Sequence, residues 1–99
     1  MVGIISLADQ AVARDLRGAQ IIALIQIGHD EHPRKNKGIY EEWSFIVAWQ
    51  RDDQCGTHRV QVNNDKESMC ISGVYDLSRE KALLDFIERS QINTIAHSH

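Results

Sequence analysis

The sequence EEWSFIVAWQ, residues 41–50, has the side-chain alternation of a β-strand. Large apolar side chains alternate along it with smaller or polar ones, and the large ones are Trp43, Phe45, Val47 and Trp49. Because successive side chains of a β-strand point to opposite faces, these four share one face. Aromatic side chains dominate the burial energy of a small core. The pattern therefore predicts a strand near the centre of a sheet.

Two further strands are predicted after this one, at 57–63 and 67–75, with turns at 51–56 and 63–66 between them. Four-residue turns would place the apolar side chains of all three strands on one face. The pairs predicted in this way are Trp49/His58, Val47/Val60, Phe45/Val62, Val60/Met69 and His58/Ile71.

A fourth strand is predicted before the central one, at 19–28, because four isoleucines make this segment β-branched. Helices are predicted at 7–17, with Ser6 as the cap and Gly18 as the stop, and at 79–90, with Ser78 as the N-cap. Residues 91–99 are predicted to form a loosely ordered tail.

The fold class that follows is α+β, a two-layer sandwich in which a four-stranded antiparallel meander lies between an N-terminal and a C-terminal helix in sequence (α-β-β-β-β-α). The chain, 1–99, is expected to form a single domain. The face that carries Trp43, Phe45, Val47 and Trp49 is called the aromatic face. We expect the C-terminal helix to cover it. A second apolar patch is predicted on the other face, either covered by the N-terminal helix or exposed as a homodimer or partner surface. Its residues are Ile22, Leu24, Ile46 and Ala48.

Composition argues against several classes of protein. The net charge of −3 is mild, whereas nucleic-acid-binding domains are usually strongly basic. The longest nearly apolar run, 21–27, is far shorter than the roughly 20 residues needed to cross a bilayer. The N-terminus lacks the pattern of a secretory signal. We therefore expect a cytoplasmic protein, with no membrane contact and with Cys55 and Cys70 as free thiols.

Residues 29–40 (HDEHPRKNKGIY) are predicted to form a long loop, since Pro33 and Gly38 interrupt regular structure. Long loops in compact domains often carry function. This loop is basic, and the turn after the central strand is acidic. The candidate partner-binding residues are therefore Arg34, Lys35, Lys37 and Tyr40 in the loop and Asp52 and Asp53 in the turn.

No catalytic or metal-binding motif is recognisable. The run from His29 to His32 holds four possible ligands, but adjacent loop residues rarely converge on one ion, so no metal and no cofactor are predicted. His58 faces the predicted core without a polar partner. Cys55 follows two aspartates, which would raise the pKa of its thiol, and Cys70 is placed on the polar face opposite Arg59.

These observations favour a small non-enzymatic protein that acts by protein–protein contact, as a regulator, inhibitor or adaptor. An inhibitor encoded by a phage or other mobile element fits this profile, although no motif supports it. The alternative is a nucleic-acid-binding module that uses the basic loop together with Arg59. Phosphate binding would weaken steeply with salt, which separates the two interpretations.

Overall fold

A computed structural model of the chain describes residues 3–36 and 38–97, with side chains described as far as residue 91. The elements in chain order are α1 (Ile4–Asp15), β1 (Gln20–Arg34), β2 (Gly38–Arg51), β3 (Gln54–Asn63), β4 (Ser68–Leu77) and α2 (Arg79–His97). The strands form one antiparallel sheet in the order β1-β2-β3-β4. The predicted α+β class and the α-β-β-β-β-α order are confirmed.

The central strand is β2, as predicted. All six residues from 44 to 49 are buried, and the Trp49 side chain is fully enclosed. The turn to β3 holds only Asp52 and Asp53, with Asp52 at a φ of 55°. Tight two-residue hairpin turns need a positive φ at their first position.

This shorter turn moves the β2–β3 pairing by two residues from the predicted register. The observed pairs include Trp49↔Gly56, Val47↔His58, Phe45↔Val60 and Trp43↔Val62. A shift of two residues keeps every side chain on its own face, whereas a shift of one would reverse it. The predicted aromatic face of β2 and β3 is therefore correct although its pairs are not.

The β3–β4 hairpin reverses the predicted face of its second strand only next to the turn, from Met69 to Ile71. A register shift then restores the predicted face, so that Gly73 and Tyr75 lie against His58 on the aromatic face. Val60 pairs with Cys70 and Arg59 with Ile71, one residue away from the predicted register. The cause lies in the turn, where Lys66 adopts a φ of 65° and the Asn63 side chain accepts hydrogen bonds from two backbone N–H groups. Cys70 consequently lies on the aromatic face, and the prediction that placed it on the polar face is wrong.

The segment predicted as a loop, 29–40, belongs to the β1–β2 hairpin. The paired residues run without a break from His29↔Trp43 to Arg34↔Gly38. Pro33 is accommodated because β1 is an edge strand, where a missing N–H need not break the ladder. Two β-bulges interrupt β1 further back, between Ile21 and Ala23 and between Gln26 and Gly28.

The helix α1, not the C-terminal helix, covers the aromatic face. Its buried residues join Phe45, Val47 and Trp49 in one cluster, and they are Leu7, Ala8, Ala11 and Val12. The small side chains of the two alanines let the helix approach the large aromatic rings closely. The prediction that the C-terminal helix covers this face is therefore wrong. The sheet already supplies the large side chains of the core, so the small alanine side chains of α1 fit over them.

The ends of α1 also differ from the prediction. The helix begins after Gly3, which has no capping side chain, and Ser6 lies within it. It ends as expected near Gly18, whose N–H donates to the Ala13 carbonyl at 2.8 Å. At this end Arg14 donates to the Ser68 carbonyl and the Asp15 carboxylate accepts from the Cys70 N–H, which ties α1 to β4.

The helix α2 lies on the opposite face of the sheet. The Thr57 hydroxyl donates a hydrogen bond to the Asp85 carboxylate. The hydroxyl oxygen of Thr57 also accepts a hydrogen bond from Arg89. Thr57 is fully buried and pairs with Ala48, on the side of the sheet away from the aromatic face. A helix therefore covers each face, which adds a third layer to the predicted two-layer sandwich.

The predicted N-cap of α2 is confirmed, since the Ser78 hydroxyl accepts the Lys81 N–H at 3.2 Å. The predicted tail, 91–99, is helical as far as His97, because neither glycine nor proline follows Ser90 to end the helix. The side chains of residues 92–97 and the last two residues lie outside the described part of the chain. Within that part, neither helix has the length and apolar character needed to span a bilayer.

Candidate functional site

The outer part of the β1–β2 hairpin, residues 28–43, is here called the arm. None of its described residues is buried, whereas every residue from 44 to 49 is. The helices therefore cover the base of β2 and leave the arm accessible. The end of the arm, residues 33–36 and 38–40, is called the tip. Three of the predicted partner-binding residues lie there: Arg34, Lys35 and Tyr40.

The tip is held by contacts between side chains. The Arg34 guanidinium lies 5.5 Å from the centre of the Tyr40 ring and donates to the Asp65 carboxylate at 2.9 Å. The Tyr40 hydroxyl in turn donates to Glu42 at 3.0 Å. Arginine–aromatic and ion-pair contacts of this kind fix the direction in which the tip presents its side chains.

The β3–β4 turn supports the arm from the side. The Asn64 N–H donates to the Glu41 carbonyl at 3.1 Å, and its amide side chain both donates to the Ile39 carbonyl and accepts the Glu41 N–H. Asn64 therefore extends the ladder beyond the end of β3. The β3–β4 turn therefore supports the backbone of the arm through hydrogen bonds.

Exposed apolar surface accompanies the charges at the tip. Ile39 is 52% exposed. Together with Glu31, His32 and Pro33 it lines a cleft of about 180 Å³. On the other side of the arm, a cleft of about 290 Å³ is lined partly by Tyr40 and Glu42.

The remaining predicted partner-binding residues are not brought together with the tip. Asp52 and Asp53 form the turn at the opposite end of β2. With about 3.3 Å per strand residue, the 14 residues of β2 separate the two ends by roughly 45 Å. Lys37 lies outside the described residues.

The predicted apolar patch is also divided. Ile46 and Ala48 are buried on the face that α2 covers. Leu24 pairs with Val47 and packs against the core beneath α1, because the bulge between Ile21 and Ala23 changes the alternation of β1. Ile22 is half-buried within that bulge. The four residues therefore share no exposed surface in the described chain.

A cluster of metal-ligating groups lies on the arm. His29 Nε2 is 2.9 Å from a carboxylate oxygen of Glu41 and 3.8 Å from one of Glu31. The His29 ring stacks on Trp43, with centroids 5.1 Å apart and planes inclined by 6°. Among the described residues, this is the one group of three or more such side chains whose donor atoms converge, all within 4.8 Å.

Sequence reasoning missed this cluster for a definable reason. The loop predicted for residues 29–40 makes His29 and Glu31 near neighbours in a loop, where such side chains rarely converge on one ion. In a strand they occupy the same face, and the pairing brings Glu41 directly opposite Glu31. The available signal was the alternation of His29 and Glu31 opposite a second alternating pair, Glu41 and Trp43.

His58 is buried and fully hydrogen-bonded. The Trp49 indole N–H donates to His58 Nδ1 at 2.9 Å, and His58 Nε2 lies 3.1 Å from the Tyr75 hydroxyl. Because an indole nitrogen can only donate, Nδ1 must accept, so the neutral imidazole carries its proton on Nε2. Burial and the charge of Arg89 lower the pKa of His58, while Asp15 opposes them. The sequence did not show these partners.

Both cysteines are free thiols, as predicted. Cys55 is buried. Cys70 is half-buried beside Asp15, and burial, with the Asp15 charge, raises the pKa of its thiol to about 11. A thiol with so high a pKa is almost entirely protonated near neutral pH and is a poor nucleophile.

Comparison with known proteins gives no match to a family model, to a curated protein or to a solved structure.

Proposed function

We propose that this protein acts without catalysis, by binding another protein through the tip of the arm, as a regulator, inhibitor or adaptor. The observation that carries the proposal is the arm itself. It projects past the region covered by the helices, and its exposed residues are held in place by contacts with the β3–β4 turn.

The composition of the tip suits a protein partner. Arginine and tyrosine are enriched at protein–protein interfaces and supply many of the residues that dominate binding energy. The tip offers Arg34 and Tyr40 in mutual contact on one face of the hairpin and exposed Ile39 and Pro33 on the other. An interface of this kind would bury the apolar side chains and keep the charges at its rim.

The supported conformation of the arm also favours binding. Ordering a flexible loop on association reduces affinity, because the lost conformational freedom must be offset by contacts. Here the strand ladder and Asn64 fix the backbone in the free protein. Most of the conformational entropy of the arm is therefore already lost on folding and is not lost again on binding.

The state of two potentially catalytic side chains, His58 and Cys70, supports a role without catalysis. Both nitrogens of His58 are engaged in hydrogen bonds, and the pKa of the Cys70 thiol is about 11. General-base and nucleophilic catalysis need groups that are accessible and poised near the working pH. Neither side chain meets that requirement.

A nucleic-acid-binding role stays the alternative, but its residues are dispersed. Arg34 pairs with Asp65, and Arg59 is half-buried on β3, where it donates to the Ser44 hydroxyl. The arm also carries Glu31, Glu41 and Glu42, which would repel phosphates. Three finer proposals rest on the sequence alone. They are a cytoplasmic location, an origin in a phage or other mobile element, and homodimerisation.

The test is a comparison of captured partners between two variants of the full chain. Lys35→Glu with Ile39→Asp alters two exposed side chains at the tip. Asp52→Asn with Asp53→Asn neutralises the turn at the opposite end of β2, and asparagine tolerates the positive φ of residue 52. Each variant and the wild type would be immobilised, exposed to extract of the source cells, and the captured proteins quantified by mass spectrometry.

A partner captured by the wild type and the turn variant, but lost by the tip variant, supports the proposal. A matched control is Lys81→Glu, an exposed charge reversal on α2 that should leave capture unchanged. If the tip variant captures the same partner as the wild type, the arm is not the binding site. If instead the wild type retains only oligonucleotides, with an affinity that falls steeply with salt, the nucleic-acid alternative replaces the proposal.

A further inference from the structure

We propose that His29, Glu31 and Glu41 bind a divalent first-row transition-metal cation on the arm, for which Zn²⁺ is the appropriate probe. The inference concerns a ligand site and does not depend on the proposed protein partner.

The spacing of the three side chains suits such an ion. The distances from His29 Nε2 to the two carboxylates are 2.9 and 3.8 Å, and all three donor atoms lie within 4.8 Å of one another. Zinc bonds of about 2.0–2.2 Å in tetrahedral geometry place neighbouring donor atoms about 3.4 Å apart. The observed separations lie on both sides of that value.

The sheet supplies the convergence. His29 and Glu31 are two residues apart in β1 and therefore share a face, and Glu31 lies directly opposite Glu41. Like charges placed directly opposite each other across two strands are destabilising. A cation between the carboxylates would replace that repulsion with attraction and would link the two strands of the arm.

The histidine is already oriented for ligation. Its ring lies parallel to the Trp43 indole at 5.1 Å, which directs Nε2 towards Glu41. An imidazole together with two carboxylates is a donor set for zinc and neighbouring transition metals, whereas Mg²⁺ and Ca²⁺ prefer oxygen donors throughout. Because the three side chains are partly exposed, the remaining coordination position is open to water.

The experiment is a calorimetric titration of the full chain with Zn²⁺. One ion per chain is expected at this site. His29→Gln and Glu41→Gln should each weaken binding by at least about tenfold, since even the loss of an outer-shell partner commonly costs that much. Matched controls on the other face of the same strands are His32→Gln and Glu42→Gln, which should change the affinity by less than about threefold.

A second variant separates this site from the C-terminal histidines. His97→Gln with His99→Gln should leave the affinity unchanged, and Zn²⁺ should shift the NMR signals of the His29 ring and the Trp43 indole. Circular dichroism would establish that each variant is folded. The proposal is overturned if His29→Gln binds Zn²⁺ as tightly as the wild type, or if replacing the two C-terminal histidines abolishes binding.

Discussion

Trp49 is fully buried in the core, and its indole N–H donates to His58 Nδ1 at 2.9 Å. The alternation in residues 41–50 was sufficient to predict that Trp49 is buried, because a strand has only two faces. Its hydrogen bond to His58 depends on a pairing register that a change of turn length moves by two residues. The same shift brings Gly56 beneath the Trp49 ring, where an added Cβ would overlap the indole and the Val74 carbonyl oxygen.

Trp49→Ala should destabilise the fold by about 3–5 kcal/mol, the range for large aromatic truncations in a core. Trp49→Phe keeps much of the ring volume but leaves the buried His58 Nδ1 without its donor, and should cost about 1–3 kcal/mol. Urea unfolding of both variants measures the two costs. An unchanged midpoint for Trp49→Ala would contradict the placement of β2 at the centre of the sheet.

His58 should make stability depend on pH. Its pKa in the folded protein is lowered from the usual 6.5 by burial and by Arg89, so the unfolded chain binds the proton more readily. The stabilisation is therefore fully present above about pH 6.5 and decreases as the pH falls towards the folded-state pKa. The Asp15 pKa is also lowered, chiefly by its hydrogen bond from Arg14, but that contribution is lost only below about pH 4.

Urea unfolding between pH 7.5 and 5 measures this dependence, and His58→Gln should flatten it. An NMR titration of the His58 ring in the wild type gives a check that does not require the variant to fold. A ring that titrates at or above pH 6.5 would be inconsistent with the neutral, doubly hydrogen-bonded imidazole.

At the scale of the element, turns account for most of what the sequence left undetermined. The strands 41–50 and 57–63 were predicted because their side chains alternate. The strand nature of 29–34 was missed because Pro33 and several charges resemble loop composition, and only the edge position of β1 makes that proline acceptable. The sequence therefore named Arg34, Lys35 and Tyr40 as candidate residues but did not show that they lie on one hairpin.

The β3–β4 turn offers a direct test of the revised register. Lys66 has a φ of 65°, a conformation that costs a non-glycine residue about 1–2 kcal/mol. Lys66→Gly should therefore stabilise the protein by about 0.5–1 kcal/mol, after the greater unfolded-state freedom of glycine is deducted. Lys66→Ala keeps the strain and should change stability by less than about 0.5 kcal/mol. A loss of stability in Lys66→Gly would contradict the positive φ at Lys66 that accompanies the observed register.

At the scale of the whole molecule, the order of elements was predictable and the placement of the helices was not. The apolar face of α1 is mostly alanine and that of α2 is richer in large residues, which suggested that α2 covers the main core. The structure reverses this, because the sheet itself supplies the large side chains and a thin helix fits over them. Periodicity shows that each helix has an apolar face but not which face of the sheet that helix covers.

The arm is an ordered hairpin in the free protein, paired from His29↔Trp43 to Arg34↔Gly38. Cross-strand backbone NOEs in the NMR spectra test it most directly. We expect them at the paired residues from His29/Trp43 to Pro33/Ile39, together with chemical shifts typical of strands. Random-coil shifts over residues 29–40, with no cross-strand NOEs beyond Trp43, would show instead that this segment is a loop in the free protein.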